Sequence, residues 1–265
     1  MKHSLLIAAT CGVILAQPCT GKADTSFTIN NTTADAFLAS GSAGNPAGAN
    51  LTANNYGGAG TLAIGPASST KGEFDSVIKF NTAGAISQFN TTYGAGNWQF
   101  TSLTLMLASN TGTNGAVPGN TIFNTVNGGS FGIDWLSNDS WVEGSGTPAA
   151  PSATGVNFNS ISTLLAGSDS LGTYTYTPPG NNVYANYSLS LDAGLVSDAA
   201  AGGDVSLYFY AADNQISYLF NSRTFASGRP QLTLTSAPVP EPATIALLAV
   251  SLGGILCLRG RKRKI

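Results

Sequence analysis

Between Asp24 and Val239 the chain has no histidine and no cysteine, which leaves carboxylates as its candidates for acid–base chemistry. Glu73 and Asp75 fall on one face of an expected strand, and Asp134, Asp139 and Glu143 sit close in sequence around Trp135 and Trp141. A glycoside hydrolase needs two carboxylates about 5–9.5 Å apart beside a sugar-stacking aromatic, so this is the catalytic class these residues leave open. The same acids would equally serve as solvated loop charges or as ligands of a structural Ca²⁺, which takes oxygen from Asp, Asn and backbone carbonyls. A Ser-His-Asp triad, a Cys-His pair and a zinc site of His and Cys each lack their central residue. No glycine loop with a phosphate-binding lysine is present either.

Binding chemistry has more material. Trp98, Trp135, Trp141, Tyr174, Tyr176, Tyr208 and Tyr210 could stack on the apolar faces of sugar rings. Trp135 is in phase with Phe131 and Ile133 and is expected in the core, whereas Trp141 lies in a Gly/Ser/Pro-rich stretch and is expected at the surface. Tyr208 and Tyr210 alternate with Leu207 and Phe209, which puts them on the second face of their strand. Arg223 and Arg229 are two of only four cations in this stretch, and Arg223 reads either as a ligand contact or as the partner of a buried acid. Trp141, Tyr208, Tyr210 and Arg223 are thus the candidate ligand-binding residues. Those four cations face twelve acids, a net charge of −8 over Asp24 to Val239. Nucleic acid is excluded as a partner by that sign, and a polyanionic polysaccharide is disfavoured unless Ca²⁺ bridges the two.

The elements that must carry these residues are short and alternating. Strands are expected at Phe27–Ile29, Ala36–Ala39, Leu62–Ile64, Phe74–Phe80, Trp98–Leu107, Phe131–Trp135, Gly172–Tyr176, Tyr184–Leu191, Val205–Tyr210, Ile216–Phe220 and Gln231–Thr235. Alternation points Leu103, Leu105, Leu107, Phe131, Ile133, Trp135, Tyr187, Leu189, Leu191, Val205, Leu207, Phe209, Leu232 and Leu234 inward. Two helical connections are expected, one through Phe158, Ile161, Leu164 and Leu165 ending at Gly167, the other over Ala193–Ala201 ending at Gly202-Gly203. Turn signals stand at Asn114-Gly115, Asn127-Gly128-Gly129 and Pro178-Pro179-Gly180. The sum is an all-β antiparallel sandwich over residues 25–235, with residues 236–239 as a linker. No disulfide can brace it, so a hydrophobic core must.

Both ends read as addresses. Residues 1–23 form a signal peptide: Lys2, an apolar run from Leu5 to Ala16, and Gly21-Lys22-Ala23 before cleavage by signal peptidase. Cys19 offers a lipoprotein signal as the rival, although Pro18 before it fits a lipobox poorly. At the other end Pro240-Glu241-Pro242 precedes an uncharged apolar run, residues 243–258, and then Arg259, Arg261, Lys262, Arg263 and Lys264. As a helix the run is about 24 Å long against a hydrocarbon core of roughly 30 Å, and snorkelling arginines can make up the difference. The basic tail should stay on the cytoplasmic side of the inner membrane as a stop, leaving the body outside. This order of motif, membrane segment and cations resembles the PEP-CTERM sorting signal. The resemblance implies that an exosortase, a membrane-embedded processing enzyme, acts at or near Pro240–Pro242 and leaves the body at the cell surface or in the matrix. An ordinary single-pass anchor is the alternative.

The body also resembles the DNRLRE group related to carbohydrate-binding modules of family 96. Thr33-Ala34-Asp35-Ala36-Phe37-Leu38, Asn54-Asn55-Tyr56-Gly57, Leu62-Ala63-Ile64-Gly65 and Ser76-Val77-Ile78-Lys79-Phe80 carry the likeness at the start. Asp134-Trp135, Trp141-Val142-Glu143-Gly144, Phe220-Asn221-Ser222-Arg223 and Arg229-Pro230-Gln231-Leu232 continue it. That group usually has Arg or Lys just before the lysine strand and an acid after the late arginine, where this chain has Asp75 and Thr224. The resemblance therefore implies a fold, a jelly-roll-like sandwich, rather than a ligand site. On these grounds the expectation is a non-enzymatic surface protein that contacts extracellular polysaccharide, needs no cofactor, and has a structural Ca²⁺ as its one candidate metal. A structural or adhesive protein without a glycan ligand, or a carboxylate-based hydrolase, are the alternatives.

Overall fold

The structure, a computed structural model, describes residues 22–41, 51–69, 72–110, 123, 128–176 and 183–239. Most of the signal peptide, Asn114-Gly115, Asn127, Pro178-Pro179-Gly180, Pro240-Glu241-Pro242, the apolar run 243–258 and the basic tail lie outside the described residues. Among the described residues no helix is long and apolar enough to cross a membrane.

Among the described residues eleven strands follow one another: β1 Thr25–Ile29, β2 Ala34–Ala39, β3 Thr61–Ile64, β4 Phe74–Asn81, β5 Trp98–Ala108, β6 Gly129–Leu136, β7 Asp169–Tyr176, β8 Tyr184–Leu189, β9 Asp204–Ala211, β10 Tyr218–Asn221 and β11 Gln231–Pro238. They pair antiparallel in a four-stranded sheet of order β1-β11-β5-β8, a five-stranded sheet of order β2-β4-β9-β6-β7, and a short β10-β3 ribbon. Register makes the core. In the first sheet Leu103 stands between Leu234 and Leu189, and Leu105 between Leu232 and Tyr187. In the second, Ile78 and Trp135 flank Leu207, and Ile133 faces Phe209. These side chains join in one buried cluster, to which the ribbon adds Leu62, Ile64, Tyr218 and Phe220. Apolar residues at every second position of both sheets have no other place to leave water, so the sheets share one interior.

The sequence expectation for the core holds at every inward position except Leu191, which is 42% exposed. β8 ends at Leu189, because Asp192 must turn outward to cap the next helix, α3 (Ala193–Ala201), accepting from the Gly194 and Leu195 N–H groups. Gly202, with φ 76°, ends that helix in the left-handed conformation. A 3₁₀ turn at Phe158–Ser160 running into α2 (Ile161–Leu164) forms the other expected connection.

Two expectations need correction. Helix α1 (Ala83–Tyr93) went unread, although Ala85, Phe89 and Tyr93, its buried residues, recur every fourth position. Residues 236–238, read as linker, extend β11, Ser236 beside both β1 and β5 and the next two beside β5. Thr25 lies opposite Ser236, so the two ends of the body leave the sheet side by side. Tyr93 ties them together, its hydroxyl hydrogen-bonded to the Ala23 and Ser236 carbonyls.

Candidate functional site

The five-stranded sheet turns a second face away from the shared core, and residues 137–165 cross it as a strap. Trp141, Val156 and Leu164 of the strap pack on Ala36, Leu38, Val77, Leu136 and Tyr208. Little in the strap is regular, so its backbone groups need partners elsewhere. Asn55, fully buried, supplies three of them and spends a fourth bond on its own turn. Its Nδ2 donates to the carbonyls of Glu143 (2.6 Å) and Val156 (2.7 Å), and its Oδ1 accepts from the N–H groups of Gly57 and Gly146 (3.1 Å each). Gly146 is required there, since a Cβ would lie 1.9 Å from the Asn55 carbonyl oxygen.

Charge anchors the strap as well. Arg223 donates from Nε to Glu143 Oε1 (2.6 Å) and from its terminal nitrogen to Glu143 Oε2, a two-pronged contact. Its backbone N–H donates to Asp35 Oδ2 (2.6 Å), to which the Thr32 hydroxyl also donates, and the Asp35 N–H reaches Glu143 Oε1 (3.2 Å). Burial pushes the Asp35 carboxyl up to about 6 against these hydrogen bonds, with Glu143 adding repulsion. The network joins the start of β2, the strap and the loop between β10 and β11. Arg223→Ala is expected to cost about 2–4 kcal/mol in denaturant unfolding, because it strands Glu143. Arg223→Lys should recover only part, as an ammonium cannot reproduce the fork. Equal stability of all three proteins would refute this.

Beneath the strap lies a second polar row. Lys79, almost fully buried, donates to the carbonyls of Asp139 (2.5 Å) and Trp141 (3.0 Å), and its ammonium stands 4.6 Å from the centre of the Trp141 ring. Trp141 Nε1 donates to the Ser206 hydroxyl (2.9 Å). Tyr208 donates to Asp75 Oδ2 (2.7 Å), while Asp75 Oδ1 is buried without a hydrogen-bond partner. Burial raises the Asp75 carboxyl to about 8, with the Tyr208 hydrogen bond opposing and Glu73 reinforcing. Tyr208 itself is pushed up, first by burial and then by Asp75. Glu73 and Asp134 are raised by burial too.

The structure thus gathers most of the residues singled out in the sequence, but as an interior. Trp141, expected at the surface, is 8% exposed, with Lys79 against its ring. Tyr208 is buried and stacks on half-buried Tyr210, ring centres 5.6 Å apart. Arg223 binds an acid, as one of its two readings held, and that acid is Glu143. Trp135 packs in the main core and donates to Asp198. Asn55 and Lys79, which organise the face, went unremarked as site residues; a buried asparagine in an Asn-Asn-Tyr-Gly turn and a lone lysine inside an apolar strand were the available signals. Among the described residues no group of three or more His, Cys, Asp or Glu comes together to hold a metal.

What this body is attached to is clearer from comparison. The PEP-CTERM protein-sorting motif matches residues 238–263, beginning at the last residue of β11. The motif supports an exported protein whose precursor is held in the membrane and sorted by an exosortase to the surface. No curated protein matches the chain.

Proposed function

We propose that the chain is the precursor of a non-catalytic cell-surface or biofilm-matrix protein. On this reading signal peptidase cleaves after Ala23, the apolar run 243–258 spans the inner membrane with Arg259, Arg261, Lys262, Arg263 and Lys264 inside, and an exosortase processes at Pro240-Glu241-Pro242. The released jelly-roll-like sandwich then binds extracellular polysaccharide. The match at residues 238–263 carries the reading, since it supplies the sorting step. The likeness of the body to the DNRLRE group extends to the sandwich and not to a ligand site, so the polysaccharide arm rests on the surface address. Engagement of Glu143 by Arg223, and burial of Asp75 under Tyr208, favour a structural part for these acids over a hydrolytic one. A second reading, an adhesive protein with no glycan ligand, draws on the burial of Trp141 and Tyr208, which removes two candidate stacking rings from solvent.

Changing Pro240, Glu241 and Pro242 together to Ala in the native host is expected to stop processing. Mass spectrometry of cell fractions should then find an unprocessed C-terminus in the membrane, where the parent protein is trimmed and at the surface. Identical masses and fractions for the two proteins would defeat the sorting proposal.

A further inference from the structure

The sheet opposite the strap is unlike the rest of the body. Strands β1, β5, β8 and β11 contain not one Asp, Glu, Lys, Arg or His, while the strands of the other sheet include Asp35, Asp75, Lys79, Asp134, Asp169 and Asp204. In a stretch with twelve acids, a four-stranded face without a charge is a distinct surface.

Register gives that face its pattern. The residues that alternate with Leu103, Leu105, Leu232 and Leu234 point away from the core. Thr28, Thr233, Thr104 and Ser188 consequently fall in one row across all four strands, with Ser26, Thr235 and Ser102 in the next. All are exposed or half-buried. Thr28 shares a hydrogen bond with Thr233, and Ser26 with Thr235, each 2.9 Å. A hydroxyl has one donor and two acceptor sites, so each retains capacity after pairing with its neighbour. Within a row the hydroxyls repeat at the strand spacing of about 4.8 Å, and the rows stand two residues, about 6.8 Å, apart. Tyr184, 57% exposed, shares the phase of Asn186 and Ser188 and so lies on the same face, at its edge. It is the exposed aromatic that neither Trp141 nor Tyr208 turned out to be.

We infer that this face docks a neutral, hydroxyl-rich polysaccharide chain, the hydroxyl rows hydrogen-bonding its hydroxyls and Tyr184 packing on a sugar ring. The inference rests on the polysaccharide arm of the proposed function and names its site and ligand class. Charge selects the ligand: a polyanion would meet no cation here and would be repelled by the net −8 of the body, whereas an uncharged polymer meets an uncharged, doubly hydrogen-bonding surface. A second copy of the chain fits less well. Stable interfaces have an apolar centre, and Met106 and Tyr184 are the large side chains of that kind on this face.

The test uses the full chain purified in mild detergent and affinity electrophoresis in gels holding hydroxyethylcellulose, soluble starch, dextran or galactomannan, with alginate as the polyanion. Thr104→Val/Thr233→Val removes two central hydroxyls while keeping β-branched, near-isosteric side chains, and Tyr184→Ala removes the ring. Thermal unfolding checks that each variant is folded. Retardation is expected with at least one neutral polymer, weakened roughly tenfold or more by either variant. Silence across the neutral panel, or retardation the variants leave unchanged, overturns the inference. So does a dimer that the variants dissolve, which would assign the face to self-association. Retardation by alginate alone, insensitive to the variants, would keep the polysaccharide reading and remove this face from it.

Discussion

Asn55→Ala is expected to be among the most damaging single substitutions in the body, costing about 3–5 kcal/mol and loosening residues 137–165 first. The alanine leaves the Glu143 and Val156 carbonyls and the Gly57 and Gly146 N–H groups without the partner they share. Each buried group stranded in this way costs about 1–3 kcal/mol, reduced where water can enter. The strap has few regular hydrogen bonds to fall back on, so its detachment should expose Trp141 before the main core opens. Asn55→Asp keeps the shape but sets an oxygen against two carbonyl oxygens, and should be no better tolerated. Denaturant unfolding and limited proteolysis check this: the variants should be cut within residues 137–165 under conditions where the parent is intact. Unchanged midpoints and cutting patterns would show that the strap is held by packing alone.

The second large effect concerns pH. In the folded body Asp75 stays protonated to about pH 8, mainly because ionising it would bury an unsolvated charge. An unfolded aspartate ionises near 4, so between those values unfolding releases a proton. The stability this group contributes is therefore complete below about pH 4 and is lost as pH rises towards 8, by roughly 4–6 kcal/mol across the window. Asp35, raised to about 6, acts with the same sign between about pH 4 and 6. Asp213 opposes them: burial works against its charge, yet N–H groups of Gln215, Ile216 and Ser130 hold it low. The parent protein should consequently be markedly more stable at pH 5 than at pH 8. Asp75→Asn should flatten that slope, becoming more stable than the parent at pH 8 while giving no such gain at pH 4. Parallel stability curves for the two proteins would rule out a buried neutral carboxyl at this position.

Much of the architecture was legible because a half-buried strand writes itself as alternation. Leu103, Leu105 and Leu107 alternate with Thr and Ser, and the strand runs through them. Helix α1 was harder: Gly84, Thr91 and Thr92 are poor helix formers, and only the fourfold spacing of Ala85, Phe89 and Tyr93 betrays it. Its reward is tertiary, with Phe89 against Trp98 and Phe100. The strap was misread for a related reason. Glycine, serine and proline around Trp141 look like an exposed loop, and what buries the ring is a clamp nearly ninety residues earlier, at Asn55, together with Lys79 in β4. Such contacts have no local signature. The partner of Arg223, Glu143, is eighty positions away, so the chain announced an arginine seeking an acid without saying which. The uncharged sheet is present in the sequence as four segments without Asp, Glu, Lys, Arg or His, but only pairing shows that they lie side by side.

The place of β11, between β1 and β5, bears on how a tethered body would withstand flow. A tug on residue 239 runs lengthwise along β11, at right angles to its hydrogen bonds with both neighbours. Those bonds must then yield together in shear rather than open one after another from an end, so the strand next to such a tether would be braced on both edges against drag.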